Sequence, residues 1–252
     1  MVHGLPSLGG WLRMATKSPF FAAKLLALRM GFFVTRRLLF NLRDARGFAI
    51  NSHYALISYW DFFIERALQD DSWTSGFRSE PHPVAIDVGA NAGMFSYLLA
   101  TLNPRAEIYA FEPLPDLERS IRNVQVISGN TFHVFSAACG REQGKSVLCA
   151  EDCGDTDARL AEVGEGTKKK RFEVQVLAVD DVVETQEVFL MKIDTQGYEI
   201  PVLEGARRTL ACTRHLIVEA NCGAELSRIQ KTLGPAWQGR PLSPCDFLFS
   251  RA

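Results

Sequence analysis

The 252 residues carry 28 Lys and Arg against 29 Asp and Glu, a formal charge of −1, and 47% of them are hydrophobic. That length and apolar content suit one domain with an extension and a sizeable core. The charge is unevenly placed, with eight basic residues and one acidic in 1–46 and 20 basic against 28 acidic in the rest. Most of the chain therefore lacks the basic field that nucleic acid requires.

Residues 1–12 hold Gly and Pro and are expected to be mobile. Residues 19–42 read as one or two helices, apolar but interrupted by Lys24, Arg29, Arg36 and Arg37. Those charges rule against a span of about 20 apolar residues and make a poor secretory signal. A basic helix of this kind packs on the core, the preferred reading, or lies against a membrane surface or a partner. Residues 55–70 read as a further helix with Tyr59, Trp60, Phe62 and Phe63. Residues 72–83, with Gly76, Pro81 and Pro83, read as a linker. The expected division is an N-terminal helical extension over 1–80 and a second domain over 81–252.

From residue 84 strand and helix alternate: strand 84–89, helix 94–102, strand 107–112, helix 116–124, strand 132–138. This pattern argues for a parallel sheet with crossover helices. It is interrupted at 146–150 and 172–179, expected as antiparallel strands around an acidic, Gly-rich loop (151–167) and a basic run (168–171) that reads as a solvated flank. It resumes with strand 188–194, helix 199–211 and strand 215–220, and closes with helix 224–233 and strand 245–250. Asp180 and Asp181 start a turn or helix before the fourth core strand. The six cysteines form no C-x-x-C and have no His at metal spacing. They read as reduced thiols of a cytoplasmic protein, with no metal site. The histidines His53, His82, His133 and His215 pair with no nucleophile motif, which argues against a covalent hydrolase.

The chemistry concentrates where Val84–Val88 runs into Gly89-Ala90-Asn91-Ala92-Gly93. Glycine there would let the backbone approach a ligand, and the helix behind offers a positive dipole end. The bland alternative is a tight strand-to-helix turn. Glu112 closes the second apolar run, where a carboxylate can accept hydrogen bonds from ribose hydroxyls. The loop lacks the G-x-G-x-x-G of a pyrophosphate site, and the chain has no G-x-x-x-x-G-K-[ST]. An adenosine ligand without phosphate fits better. S-adenosylmethionine is such a ligand, with Asp87 placed for its ammonium. Asn91 either bonds the ligand or fixes its own loop.

The block 188–206, with its Lys-Ile-Asp-x-x-Gly-x-Glu run at 192–199, joins Asp87-Val-Gly-Ala-Asn, Phe111-Glu-Pro, Leu177-Ala-Val-Asp-Asp and Ile217-Val-Glu in a pattern. Over about residues 84–222 it resembles the FkbM-type family of S-adenosylmethionine-dependent methyltransferases. The resemblance implies an α/β, doubly wound, mostly parallel seven-stranded sheet, the Rossmann-like class I methyltransferase fold. It also implies an oxygen acceptor on a sugar or other small metabolite. Many members carry Glu where Gln196 stands, and the amide keeps only the hydrogen-bonding part of that role.

Asp87, Glu112, Asp194 and Glu219 all fall near the carboxyl ends of strands, where such sheets bind ligands. Asp194 is the first choice for taking or orienting the acceptor's proton. Lys192, two residues earlier, leaves the same strand face and either holds Asp194 ionised or is simply an ion-paired lysine. Glu219 lines the acceptor pocket or sits in an ion pair, and Glu199 reads as a first-turn helix carboxylate. The expected catalytic set is Asp194, Lys192 and Glu219. The expected donor-binding set is Asp87, Gly89, Ala90, Asn91, Gly93, Phe95, Glu112, Pro113, Ala138 and Asp194. The expected partner is a small-molecule or glycan hydroxyl acceptor; nucleic acid is disfavoured by the acidic core and by the lack of an Asn/Asp-Pro-Pro-Tyr motif. The competing class is a non-catalytic S-adenosylmethionine-binding or scaffold protein that kept the fold.

Overall fold

The computed structural model describes residues 15–16, 19–35, 42–50, 56, 59, 62–63, 68–150, 159–160, 170–185 and 187–251. The expectations for residues 1–12, for most of the helix at 55–70 and for nearly all of the acidic loop 151–167 lie outside them. The chain divides into two compact units, 1–70 and 71–252.

In the first unit, helix α1 (Pro19–Thr35) buries Ala22, Leu25 and Leu28, a three-residue spacing that keeps them on one face. Strands β1 (Leu42–Arg43) and β2 (Ala49–Ile50) pair antiparallel. Their turn is tied by Asp44, whose Oδ1 accepts the N–H of Arg46 and of Phe48, each at 2.9 Å. Among the described residues, no helix is long and apolar enough to cross a membrane.

The second unit opens with a helix, α2 (Asp71–Ser79), where a linker was expected. Trp73 and Phe77, four residues apart, are both fully buried, so one helix face carries a core anchor that outweighs the Gly and Pro signals. Gly76 is small because the Phe189 ring lies 3.0 Å from where a Cβ would stand. Pro81 and Pro83 follow the helix and do not break it.

Then come β3 (Val84–Val88), α3 (Met94–Leu102), β4 (Glu107–Phe111), α4 (Pro115–Ser128), β5 (Thr131–Phe135), β6 (Ala138–Cys139), β7 (Gly144–Ala150), β8 (Arg159–Leu160) and β9 (Lys170–Leu177). The chain continues through α5 (Val179–Val182), β10 (Val188–Ile193), α6 (Glu199–Glu204), α7 (Arg207–Ala211), β11 (Thr213–Glu219), α8 (Gly223–Leu233), β12 (Trp237–Pro241) and β13 (Asp246–Arg251).

The main sheet has seven strands in the order β12-β13-β11-β10-β3-β4-β5. The run β11 to β5 is parallel, and β13 lies antiparallel to both β11 and β12. This is the doubly wound, mostly parallel seven-stranded sheet that the family resemblance implied, built on the parallel core for which the alternation argued. One face buries Ile86, Val88, Phe111, Met191, Ile193, Leu216 and Val218 against Val202 and Leu203 of α6 and Ile229 of α8. From β3 the chain winds outward through β4 and β5, then returns to the other side of β3 through β10 and β11. The switch in direction falls between β3 and β10, where an open α/β sheet forms its ligand crevice.

Three further elements depart from expectation. The strand at 132–138 ends at Phe135, and Ala138–Cys139 joins a second sheet of order β6-β9-β7-β8. The helix at 199–211 breaks at Gly205, where a Cβ would stand 2.0 Å from the Gly140 carbonyl oxygen. Strand β12 was not anticipated, because after Trp237 its residues are exposed as on a sheet edge and include Gly239 and Pro241. The second sheet packs Leu148, Val174 and Val176 against Leu114 and Leu117, with Ala92 of the glycine loop beside them.

Candidate functional site

Strand β3 leaves the sheet through a left-handed turn, with φ of +79° at Gly89, +48° at Asn91 and +81° at Gly93. The two glycines answer to packing, the tight strand-to-helix turn that was the bland alternative. A Cβ on Gly89 would lie 1.9 Å from the Asp194 carbonyl oxygen, and one on Gly93 would lie 3.2 Å from Ile121 Cα. Gly89 lets β3 close on the end of β10, and Gly93 lets α3 close on α4.

Every amide of the turn is used by the protein itself. Gly89 and Ala90 N–H donate to the Phe111 carbonyl at 3.0 and 2.9 Å, and Gly93 N–H donates to the Ala90 carbonyl at 2.8 Å. Asn91 N–H donates to Glu112 Oε2 at 2.8 Å, and Ala92 N–H to Asn91 Oδ1 at 2.7 Å. The Asn91 side chain thus fixes its own loop. A phosphate group would find no spare donor here, in contrast to the cradles that hold pyrophosphates.

Glu112 stands at this turn. Its Oε1 accepts the Leu114 N–H at 2.9 Å, and each oxygen keeps a further lone pair for a hydroxyl. Burial pushes its carboxyl up to about 7, against the pull of the Leu114 and Asn91 amides. A ligand gripped through ribose hydroxyls favours the ionised form, so its affinity rises as pH rises through that value. Titration calorimetry with S-adenosylhomocysteine is expected to give roughly five- to tenfold tighter binding at pH 8 than at pH 6. Glu112→Gln is expected to weaken binding and flatten the dependence. Equal affinities at both pH values in the unmodified protein would remove Glu112 from the ligand's contacts.

A charged cluster occupies the neighbouring strand ends. Asp87 and Lys192 are register partners across β3 and β10. Asp87 is fully buried, accepts the Ser96 hydroxyl at 2.6 Å, and leaves Oδ1 without a partner. Burial raises its pKa, and the charge of Lys192 opposes that rise. The ammonium nearest this carboxylate is therefore the protein's own. Lys192, 4% exposed, reaches Asp194 Oδ2 at 2.8 Å and lies 5.6 Å from the centre of the Phe95 ring. Burial disfavours its ammonium, but Asp194 and Asp87 outweigh burial and push its pKa up. Burial likewise disfavours the Asp194 carboxylate, and Lys192 outweighs it and holds that pKa down.

Gln196, at φ +54°, donates from Nε2 to Asp194 Oδ1 at 2.9 Å and to Glu219 Oε2 at 2.5 Å. Burial, followed by the charge of Asp194, pushes the Glu219 carboxyl up to about 9. Glu219 is therefore protonated at neutral pH. Asp246 faces Glu219 across β11 and β13, and burial raises its pKa too. Glu199, 1% exposed, takes the Thr195 N–H and hydroxyl and the Gly197 N–H on one oxygen, each at 3.1 Å. That is a turn-closing role, in keeping with its reading as a helix-start carboxylate.

The glycine turn, Glu112, Lys192, Asp194 and Glu219 thus gather around the carboxyl ends of the central strands. Pro113 follows Glu112 and is partly exposed, and Ala90 is buried within the turn. Phe95 lies in the core among Trp73 and Lys192, and Ala138 lies in the second sheet. Sequence reasoning missed Ser96, Asp246 and the bridging part of Gln196. Asp246 was within reach: it starts a strand that runs antiparallel to β11, so its first residue lies beside Glu219. Among the described residues, no group of three or more His, Cys, Asp or Glu is arranged to hold a metal ion.

The chain matches the family model of the methyltransferase FkbM domain over residues 87–231. It is 28% identical over 170 residues to the hexuronic acid methyltransferase AglP of Haloferax volcanii, covering 63% of this chain and 64% of that one. It is 28% identical to Methyltransferase 1 of Beauveria bassiana, over 48% of this chain and 57% of that one. It is 25% identical to the 2-O-methyltransferase NoeI of Sinorhizobium fredii, over 56% and 64%. The first two matches thus span less than two thirds of those relatives. Among solved structures it is similar to the METTL16 methyltransferase domain, with a TM-score of 0.48, 12% identity and 94% of each chain covered. The family match takes in Asp87, the glycine turn, Glu112, the block 192–199 and Glu219, so the chain belongs to the FkbM family of methyltransferases, whose methyl donor is S-adenosylmethionine.

Proposed function

We propose that this protein transfers a methyl group from S-adenosylmethionine to a hydroxyl of a small molecule or sugar. The observation that carries the reading is the saturated turn at 89–93 beside Glu112. It leaves no amide for an anion and sets a buried carboxylate where ribose hydroxyls would bind. The ionised Asp194, with the carboxyl groups of Asp87 and Glu112 nearby, favours a cationic ligand, as a sulfonium with an α-ammonium is.

The donor supplies an electrophilic methyl carbon. The acceptor oxygen forms the new C–O bond as the C–S bond breaks, the bonding pair stays on sulfur, and the hydroxyl proton must leave. Asp194 is placed to take or orient that proton. Lys192 keeps it ionised, which makes it a hydrogen-bond acceptor that needs no prior deprotonation. Glu219, protonated at neutral pH, hydrogen-bonds Asp194 and helps to keep it an anion. The names of two relatives, a 2-O-methyltransferase and a hexuronic acid methyltransferase, support an oxygen on a sugar.

The test is calorimetry with S-adenosylmethionine and S-adenosylhomocysteine, followed by incubation with a panel of sugar and polyketide alcohols while S-adenosylhomocysteine formation is measured. Saturable donor binding with turnover on a hydroxylated acceptor is expected. Absence of donor binding would overturn the reading. Binding that survives Asp194→Ala, with no turnover on any alcohol, would favour the non-catalytic alternative.

A further inference from the structure

We propose that Gln196 is a positioning residue that ties the Asp194 and Glu219 carboxyl groups into one unit, its amide donating to both and stabilising negative charge on each. Its catalytic consequence rests on the methyl-transfer reading; the coupling itself does not.

The geometry is direct. A side-chain amide has two N–H groups on one nitrogen. At Gln196 that nitrogen reaches Asp194 Oδ1 at 2.9 Å and Glu219 Oε2 at 2.5 Å. A carboxyl group at this position carries at most one proton, so it could satisfy only one of the two neighbours and would add a third acid. The amide does not titrate, so the bridge persists at every working pH and passes no proton between the carboxyls. A non-glycine residue at φ +54° also holds a conformation worth about 1 kcal/mol or more of strain. Glu199 supports it from both sides by taking the amides of Thr195 and Gly197.

The charged groups around the pair decide which carboxyl keeps the proton. Lys192, on the strand that leads to Asp194, favours Asp194 as an anion. Asp246 from β13 disfavours ionisation of Glu219. Asp87 from β3 faces Lys192, and Glu112 beyond β4 senses the charge of Asp194. Groups whose surroundings push their pKa values apart are those that can serve as base and acid side by side.

The experiment uses the full chain with carbon-13 at the Asp and Glu side-chain carboxyls, assigned through Asp194→Asn and Glu219→Gln and titrated by NMR from about pH 4 to 10. In the unmodified protein, Asp194 is expected to stay ionised across the neutral range while Glu219 titrates in the alkaline range. Gln196→Ala is expected to move the Glu219 midpoint upward by about one unit. Gln196→Glu is expected to add a titration step to the Asp194 resonance near neutral pH. Glu199→Gln is expected to move the Glu219 midpoint in the direction of Gln196→Ala. Unchanged Asp194 and Glu219 curves in folded Gln196→Ala and Gln196→Glu overturn the proposal, and Gln196→Glu alone decides if the alanine variant does not fold. The readout needs neither donor nor acceptor, so its failure leaves the methyl-transfer reading untouched. Absence of S-adenosylhomocysteine binding, in turn, leaves the coupling standing.

Discussion

Gly89→Ala is expected to cost at least about 3 kcal/mol of stability and to lower the melting temperature of the 71–252 unit by roughly 10 °C or more. Two penalties add at this residue. Its φ of +79° lies in the left-handed region that side chains rarely occupy. The new Cβ would also stand 1.9 Å from the Asp194 carbonyl oxygen, a main-chain atom that can retreat only by moving the end of β10. That end is pinned to β3, because Asp194 N–H donates to the Val88 carbonyl at 3.1 Å. Gly197→Ala is the control: it shares the positive φ, +99°, but a Cβ there meets nothing within 4 Å. It is expected to cost only about 1 kcal/mol. Melting curves of the two variants decide the matter. A Gly89→Ala protein that melts with Gly197→Ala would mean that the close approach of β3 and β10 does not exist.

Lys192→Met is the second large effect, expected at about 3–5 kcal/mol. The methionine fills a similar volume, so the loss is mainly electrostatic. Without the ammonium, the fully buried Asp87 and the partly buried Asp194 are left as neighbouring carboxylates with no cation between them. Both pKa values then rise above those of the unfolded chain, and the native state binds more protons than the unfolded state above about pH 4. Stability therefore falls as pH rises, and the deficit against the unmodified protein is greater at pH 8 than at pH 5. Adding Asp194→Asn should restore part of the loss, because the two residues interact directly. Chemical denaturation at the two pH values measures this. A deficit independent of pH would indicate a packing defect and not an unpaired charge.

Much of the arrangement could be read in the sequence because it depends on local periodicity. The alternation from residue 84 led to a parallel sheet, and the end of each apolar run located Asp87, Glu112, Asp194 and Glu219. What escaped was set by contacts distant in sequence. The helix at 71–79 was hidden by Gly76, whose smallness serves Phe189, more than a hundred residues away. The break at Gly205 is dictated by the carbonyl of Gly140, which no local pattern signals. The glycines of the turn were legible as a tight strand-to-helix turn, but the atoms they make room for, the Asp194 carbonyl and Ile121 of helix α4, were not. Gln196 looked like a lost carboxylate; only the positions of Asp194 and Glu219 on either side of its amide reveal a bridge.

The self-sufficiency of the turn at 89–93 also bears on selectivity. Under the proposed reading, ATP and related nucleotides would offer the same ribose to Glu112, yet would bring negative charge beside the Asp194 carboxylate and to turn amides already engaged. Under that reading the turn would disfavour such competitors through bonds it already makes with the protein itself.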